Sequence, residues 1–291
     1  MQIKKQNGVW NAYDNSGTLV ASSKNRDYLG RKLKNLNISL APAPIIPKVS
    51  SFDINERFNY LDQLVRLVAN GQAASCIITG EGGLGKSYTV THALKSEGLK
   101  DVTELESSID ITDPTFYRVI KGYSTPKGLY KSLFENQNSI VVYDDCDSVL
   151  KDADAVNLLK GALDSFDKRL ITWNTSVPKE DLPSTFEFRG GVIFISNMNA
   201  DNIDQAIRSR SMCVDVSMTN AQKIERMDTI MRGPQFLPYI PLEMKIEALD
   251  LIKELEYQAK EISLRTLITV SKIRDSGNQD WKNLAKYLLI G

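Results

Sequence analysis

Apolar residues in this chain fall into two spacings, and the alternation between them outlines the fold. Short, mostly apolar runs at 75–79, 117–120, 139–143, 191–196 and 212–216 predict strands covered on both faces. Between the runs the period becomes that of a helix. Phe58, Leu61, Leu64, Val65 and Val68 share one face, as do Val156, Leu158, Leu159, Ala162 and Leu163. Further helices are predicted from Tyr88, over 127–135 and near 203–208. A short hairpin, 169–173 against 185–188, precedes the run at 191–196. Strands and helices alternating in this order predict a mostly parallel sheet sandwiched by helices.

Both ends of the chain break this pattern. From Asn220 onward the periodicity is helical only, with Leu242, Ile246, Leu249, Ile252 and Leu255 on one face and breaks at Gly233-Pro234, Pro238 and Pro241. At the start, residues 8–13 and 18–21 flank Asp14-Asn15-Ser16-Gly17, which suits a hairpin turn. Residues 28–36 then carry Leu29, Leu33 and Leu36 at helical spacing, with Arg31, Lys32 and Lys34 between them. Such a ββα-like module serves either nucleic-acid binding or docking and oligomerisation. Pro42, Pro44 and Pro47 then disfavour helix and sheet alike. The predicted organisation is a module at 1–40, a proline-rich linker at 41–51, an α/β domain at 52–217 and an all-α domain at 218–291.

Composition narrows the partners and the compartment. In 291 residues, 36 Lys and Arg balance 36 Asp and Glu, so any nucleic-acid contact must be local. Cys76, Cys146 and Cys213 lie in or beside predicted buried strands at no metal-ligand spacing, as reduced core thiols of a cytoplasmic protein would. No signal peptide or bilayer-length apolar run is present, so no membrane partner is expected. His92, the one histidine, falls in a predicted helix and reads as a packing residue.

The candidate chemistry begins at Gly80-Glu81-Gly82-Gly83-Leu84-Gly85-Lys86-Ser87, between a buried strand and a helix. This is G-x-x-x-x-G-K-S/T in the context that the motif requires. Its glycines let backbone N–H groups curl around a di- or triphosphate at a helix N-terminus. Lys86 would neutralise β/γ-phosphate charge, and the Ser87 hydroxyl would ligate Mg²⁺. A second anchor for the cation is expected at the end of a neighbouring strand, and Asp144 supplies it. Asp145 is placed to orient or deprotonate an attacking water. Asp147 reads as a helix cap.

From about Phe52 onward the chain resembles an AAA+ ATPase, a P-loop NTPase whose α/β domain is followed by a helical lid. The style of 143–149 and 158–164 is similar to AAA+ proteins encoded by tailed bacteriophages. The resemblance implies that Asn197, ending the strand at 191–196, is the sensor-1 residue that positions water. It also implies that an arginine closing 203–210 reaches a neighbouring subunit's nucleotide, Arg210 first and Arg208 second. Arg265, in Ser263-Leu264-Arg265, matches the sensor-2 arginine. In that family the second Walker B residue is usually glutamate, and Asp145 is one methylene shorter, which puts the turnover rate in question. The loop at 121–127, with Tyr123, Lys121 and Lys127, stands where AAA+ rings present a pore loop; an ordinary solvated turn is the other reading. The implied protein binds ATP and Mg²⁺ and forms a homo-oligomeric, hexameric ring. It couples hydrolysis to remodelling or moving along a polymer, whether DNA, RNA or protein. The alternative is a nucleotide-dependent switch, loader or assembly factor with slow turnover.

Overall fold

The computed structural model describes residues 2–6, 8–13, 19–25, 29, 52–102, 114–174 and 182–291. The chain divides into two units, Met1–Val49 and Ser50–Gly291. In the first, β1 (Gln2–Gln6), β2 (Val9–Tyr13) and β3 (Leu19–Ser23) form an antiparallel sheet in that order. Ile3, Ala12 and Ala21 are in register, and Ala12 and Ala21 are buried with Leu29. The expected hairpin is therefore β2–β3. Strand β1 is an addition, hidden in the sequence because its one strong apolar residue is Ile3. The predicted helix at 28–36, apart from Leu29, and the proline-rich linker lie outside the described residues.

The second unit opens with α1 (Ile54–Ala69), whose start is written locally. The Asp53 carboxylate accepts from the N–H of Asn55 at 2.7 Å, and Glu56 accepts from the Asp53 N–H at 2.9 Å. This reciprocal cap satisfies donors that a helix N-terminus otherwise leaves unpaired. The alternating elements follow: β4 (Ser75–Thr79), α2 (Lys86–Ser96), β5 (Lys100–Asp101), β6 (Phe116–Lys121), α3 (Pro126–Glu135) and β7 (Ile140–Asp144). After them come α4 (Ser148–Lys151), α5 (Ala153–Ala162), the hairpin β8 (Leu170–Thr172) with β9 (Thr185–Glu187), β10 (Gly191–Ser196), α6 (Gln205–Arg208) and β11 (Met212–Asp215).

Six strands pair in the order β11-β4-β10-β7-β6-β5, all parallel. Every residue of β4, β7 and β10 is buried, because helices cover both faces. Alternate side chains go to opposite layers. Ile77, Val141, Tyr143, Val192 and Phe194 pack with α3 and α5, whereas Cys76, Ile78, Val142, Ile193 and Ile195 pack with α1 and α2. Each buried aliphatic or aromatic side chain contributes about 1.5–3 kcal/mol. Packing of β10 leaves no room ahead of it: a Cβ on Gly190 would lie 2.0 Å from the Ser139 carbonyl oxygen. Gly190→Ala is expected to destabilise the protein by about 3 kcal/mol, the upper range for overpacking, and to lower the unfolding midpoint by roughly 6–12 °C. Urea and thermal unfolding of the two proteins measure it.

The all-α segment comprises α7 (Asn220–Met231), α8 (Leu242–Glu254), α9 (Leu264–Asp275) and α10 (Trp281–Ile290) around Met227, Leu249, Ile252, Leu267 and Trp281. Buried Arg57 of α1 ties it to the sheet, donating to the carbonyls of Asp215 at 3.2 Å and Ser217 at 2.7 Å and to Gln222 at 3.4 Å.

Three sequence expectations are corrected. Cys213 is exposed, because β11 is an edge strand, whereas Cys76 and Cys146 are buried. Burial pushes the Cys146 thiol up to about 11, with Asp144, Asp145 and Asp147 adding to the shift. His92 is exposed and stacks on Tyr88 rather than packing in the core. Asp147 does stand at the N-cap of α4, but its side chain makes no cap bond and instead accepts from Ser196 Oγ at 2.6 Å; the side-chain cap is made one helix later, by Asp152 on α5.

Candidate functional site

The site lies beyond the carboxyl ends of β4, β7 and β10, where open parallel sheets place their ligand crevices. Thr79 ends β4, and the chain turns through Gly80, Gly83 and Gly85 at φ of 139°, 74° and 97°. Side-chain-bearing residues avoid this left-handed region. Gly80 also needs its small size, since a Cβ there would meet the Val216 carbonyl carbon at 3.0 Å. Gly85 then opens α2 with no side-chain cap, so the first backbone donors of the helix face the crevice.

Lys86 is only 5% exposed. Its ammonium donates to the carbonyls of Gly80 at 2.6 Å and Glu81 at 2.7 Å and to Asn197 Oδ1 at 3.0 Å. Burial lowers its pKa from the ordinary lysine value, and the carboxylates of Asp145, Asp144, Asp147 and Glu81 pull the other way. Ser87 Oγ donates to Asp144 Oδ1 at 2.9 Å, and Lys121 Nζ stands 3.6 Å from Asp144 Oδ2.

Asp145 and Asn197 meet through tertiary structure. Strand β10 pairs with β7 with Ile195 opposite Asp144, and the Asp145 N–H donates to the Ile195 carbonyl at 3.0 Å. The Asn197 amide then bridges the site: its Nδ2 donates to Asp145 Oδ1 at 2.8 Å, while its Oδ1 accepts from Lys86. Asp145 has φ 56°. Aspartate tolerates this left-handed conformation better than a longer side chain does, a physical reason for the shorter acid at this position.

A cavity of about 170 Å³ is lined by Gly82, Gly83, Gly85, Lys86, Ser87, Asp144, Asp145, Asn197 and Arg265, so most of the sequence-predicted site converges. Tyr88 and Ile195 also line it and were not anticipated. Leu84 faces the core instead, 1% exposed, and Glu81 presents its carboxylate to α7, pairing with Lys223. Arg208 and Arg210 stay outside the cavity. Arg208 pairs with Asp201 at 3.4 Å, and exposed Arg210 donates to the Ala206 carbonyl at 3.0 Å.

The all-α segment is fastened to the glycine-rich loop itself. The Leu264 N–H donates to the Gly83 carbonyl at 2.9 Å, and a Cβ on Gly83 would sit 3.1 Å from the Ser263 Cβ. Beside this contact lies an apolar cavity of about 550 Å³, walled by Tyr88, His92, Ile230, Phe236, Leu264 and Ile268. Sequence reasoning missed it because its walls come from helices far apart in the chain. The one available signal was an aromatic residue directly after the Ser87 hydroxyl.

No family model matches the chain. It is 29% identical over 250 residues to a 36.7 kDa protein of Enterobacteria phage T4 from the nrdC-mobD intergenic region, covering 80% of this chain and 73% of the relative. Among solved structures it is similar to NtrX from Brucella abortus in complex with ADP, at a TM-score of 0.49 and 16% identity over 87% of this chain. It spans 54%, about half, of that NtrX chain. It is also similar to Aeropyrum pernix ORC1 in complex with DNA, at a TM-score of 0.46 and 11% identity, covering 84% of this chain and 67% of the other. Similarities this distant assign no residue and no ligand. The strand order and the loop geometry define the class: a parallel α/β core flanked by helices, with a P-loop NTPase-like nucleotide site.

Proposed function

We propose that this chain is a Mg²⁺-ATP-binding protein of the AAA+ kind that acts as a nucleotide-dependent switch or assembly factor with slow turnover. The observation that carries the reading is the attachment of the all-α lid to the P-loop, through the Leu264–Gly83 backbone bond and the Lys223–Glu81 ion pair. A bound triphosphate changes the charge that Lys86 and Glu81 face, and the same loop holds the lid, so occupancy and lid position are energetically coupled. The residues fit the ligands. Asp144 and Ser87 are adjacent hard-oxygen donors, and the described residues contain no cluster of three or more acidic, Cys or His groups that would cage a metal without phosphate. When bound, ATP supplies the phosphoanhydride bond and Mg²⁺ the neutralising charge.

The chain's own groups divide the remaining work. Lys86 would turn from its carbonyl partners toward phosphate, and the apolar cavity beside Tyr88 and Leu264 would take the base. Asp145 and Asn197 would hold water, with Arg265 acting in cis. Arg210, or otherwise Arg208, would be contributed by a neighbouring subunit of a homo-oligomer, a hexameric ring by the AAA+ resemblance. Slow turnover is supported by Asp145, whose short side chain is committed to Asn197. A second reading, a ring that moves along DNA, RNA or protein, is favoured by Tyr123. It is 76% exposed after Gly122 at φ 91°, with Lys121 and Lys127 flanking the loop.

Sedimentation velocity with and without Mg²⁺-ATP, alongside steady-state ATPase assays with each polymer, separates the two. The switch predicts ATP-dependent assembly, turnover slower than about one per minute and no polymer stimulation. Asp145→Asn keeps the left-handed backbone accessible and is expected to leave ATP affinity within about threefold. It should slow single-turnover hydrolysis about a hundredfold, holding the assembled state. Fast turnover stimulated by a polymer would favour the second reading.

A further inference from the structure

Most polar side chains around the apolar cavity beside the P-loop are already bonded within the protein. The cavity holds about 550 Å³, and its surface is mainly that of Ile230, Phe236, Leu264, Ile268 and the Tyr88 ring. Six polar side chains also line it, and five of them have internal partners. The Tyr88 hydroxyl donates to Gln235 Oε1. Thr89 Oγ1 donates to the Gly85 carbonyl at 3.0 Å, and Thr229 Oγ1 to the Glu225 carbonyl at 3.1 Å, each four residues back along the chain. Arg226 is directed to α1, where its guanidinium lies 4.0 Å over the Phe58 ring and Nη1 donates to Asn55 Oδ1 at 2.9 Å. Backbone groups of the wall are engaged in the same way. The Gly233 and Phe236 N–H groups donate to the carbonyls of Ile230 at 3.0 Å and Gly233 at 3.3 Å, and Lys245 donates to the Phe236 carbonyl at 3.0 Å. His92 is the sixth polar side chain, stacked on Tyr88 at 5.8 Å between ring centroids. A neutral imidazole offers one donor and one acceptor, so it complements an amino group and a carbonyl oxygen alike.

We propose that this cavity recognises a nucleobase by burial and stacking rather than by reading its edge, so the site takes purine nucleoside triphosphates as a class, GTP as well as ATP. The inference rests on the proposed reading that the cavity receives the base of a nucleotide held by the P-loop. Adenine presents an amino donor at the position where guanine presents a carbonyl acceptor. A pocket built to hydrogen-bond one substrate rejects an analogue that lacks the bond by about 10⁴–10⁵, because its own buried groups are left unpaired, whereas an apolar pocket discriminates by about 10² or less. Here the bonded side chains would have to give up an internal partner before they could choose between bases. Stacking on the Tyr88–His92 pair is open to any base, since every base has a π-face. The aliphatic wall then favours the larger bicyclic purines through the area they bury. Guanine carries more polar groups on its edge and costs more to desolvate, which sets a modest preference for ATP.

The test is competition on the full chain with Mg²⁺, in which ATP, GTP, UTP and inorganic tripolyphosphate displace an ATP analogue labelled on its ribose. ATP and GTP are expected within about tenfold of each other, with UTP weaker than either and tripolyphosphate at least about thirtyfold weaker than ATP. Phe236→Ala weakens ATP and GTP by the same factor, about tenfold, and leaves tripolyphosphate unchanged. The unfolding midpoint reports whether that variant keeps its fold, and Ile268→Ala stands in if it does not. Gln235→Ala and Tyr88→Phe each remove the polar pair on the cavity wall and are expected to keep the ratio of ATP to GTP affinity within about twofold. A preference between ATP and GTP beyond about tenfold, or a larger change of that ratio in either variant, overturns the inference and leaves the nucleotide reading standing. UTP as tight as ATP overturns it as well, and so does tripolyphosphate as tight as ATP, which would put the base outside the cavity. If the labelled analogue does not bind at all, the P-loop reading fails and the inference with it.

Discussion

Lys86→Ala is expected to weaken ATP binding at least a hundredfold, about 2.7 kcal/mol, while the unliganded protein keeps its fold. The physical case rests on the charges around the lysine. Its ammonium is the buried cation in a pocket where Asp144, Asp145, Asp147 and Glu81 all act on it. Without it, a polyanionic ligand faces carboxylates across a low-dielectric crevice, where repulsion is much stronger than in water. Fold stability responds far less. The bonds lost are to the Gly80 and Glu81 carbonyls and to Asn197, at the edge of a cavity that water can enter, and the core behind Leu84 is untouched. Titration calorimetry with Mg²⁺-ATP and a melt of the unliganded variant measure the two quantities. Near-normal affinity in a folded variant would remove the P-loop assignment.

Arg210→Ala is expected to bind ATP almost normally and to hydrolyse what it binds at least a hundredfold more slowly in a single turnover. Arginine fingers contribute on the order of 10³–10⁵ in phosphoryl-transfer enzymes, so a weaker version would still be measurable here. Arg210 is exposed, its guanidinium bonds to the Ala206 carbonyl among the described residues, and it is absent from the cavity that Arg265 lines. Such a group acts at a site only if that site belongs to another subunit. Mixing provides the sharper measurement. Arg210→Ala subunits retain an intact pocket and Lys86→Ala subunits an intact arginine, so mixed assemblies should recover activity that neither variant has alone. If native mass spectrometry shows co-assembly and no activity returns, Arg210 is not the trans-acting group, and Arg208 takes its place in the same experiment.

The sequence by itself determined the features whose causes are local. The buried run before Gly80, the glycines and Lys86 form one continuous stretch, and strand, turn and helix there each follow from neighbouring residues. The same holds for β7 ending in Asp144, for β10 leading to Asn197, and for the helical period after Asn220. The hairpin β8–β9 was legible because each half alternates, with Ile171 and Phe186 buried between exposed or half-buried neighbours.

Tertiary structure decided what depends on which distant segments become neighbours. Asp145 and Asn197 share a hydrogen bond because β10 inserts between β4 and β7, and no periodicity encodes strand order. The left-handed backbone at Asp145 arises where the chain leaves β7 and bonds back to Ile195, which explains an aspartate that the sequence presented only as a departure. Leu264 reaches Gly83, and Lys223 reaches Glu81, across more than a hundred residues of chain. Burial was misjudged at Cys213 and His92 for the same reason. An apolar pattern records how a residue alternates with its neighbours, whereas exposure depends on whether another element covers it. Strand β11 is the sheet's edge, and the helix face bearing Tyr88 and His92 opens onto a cavity.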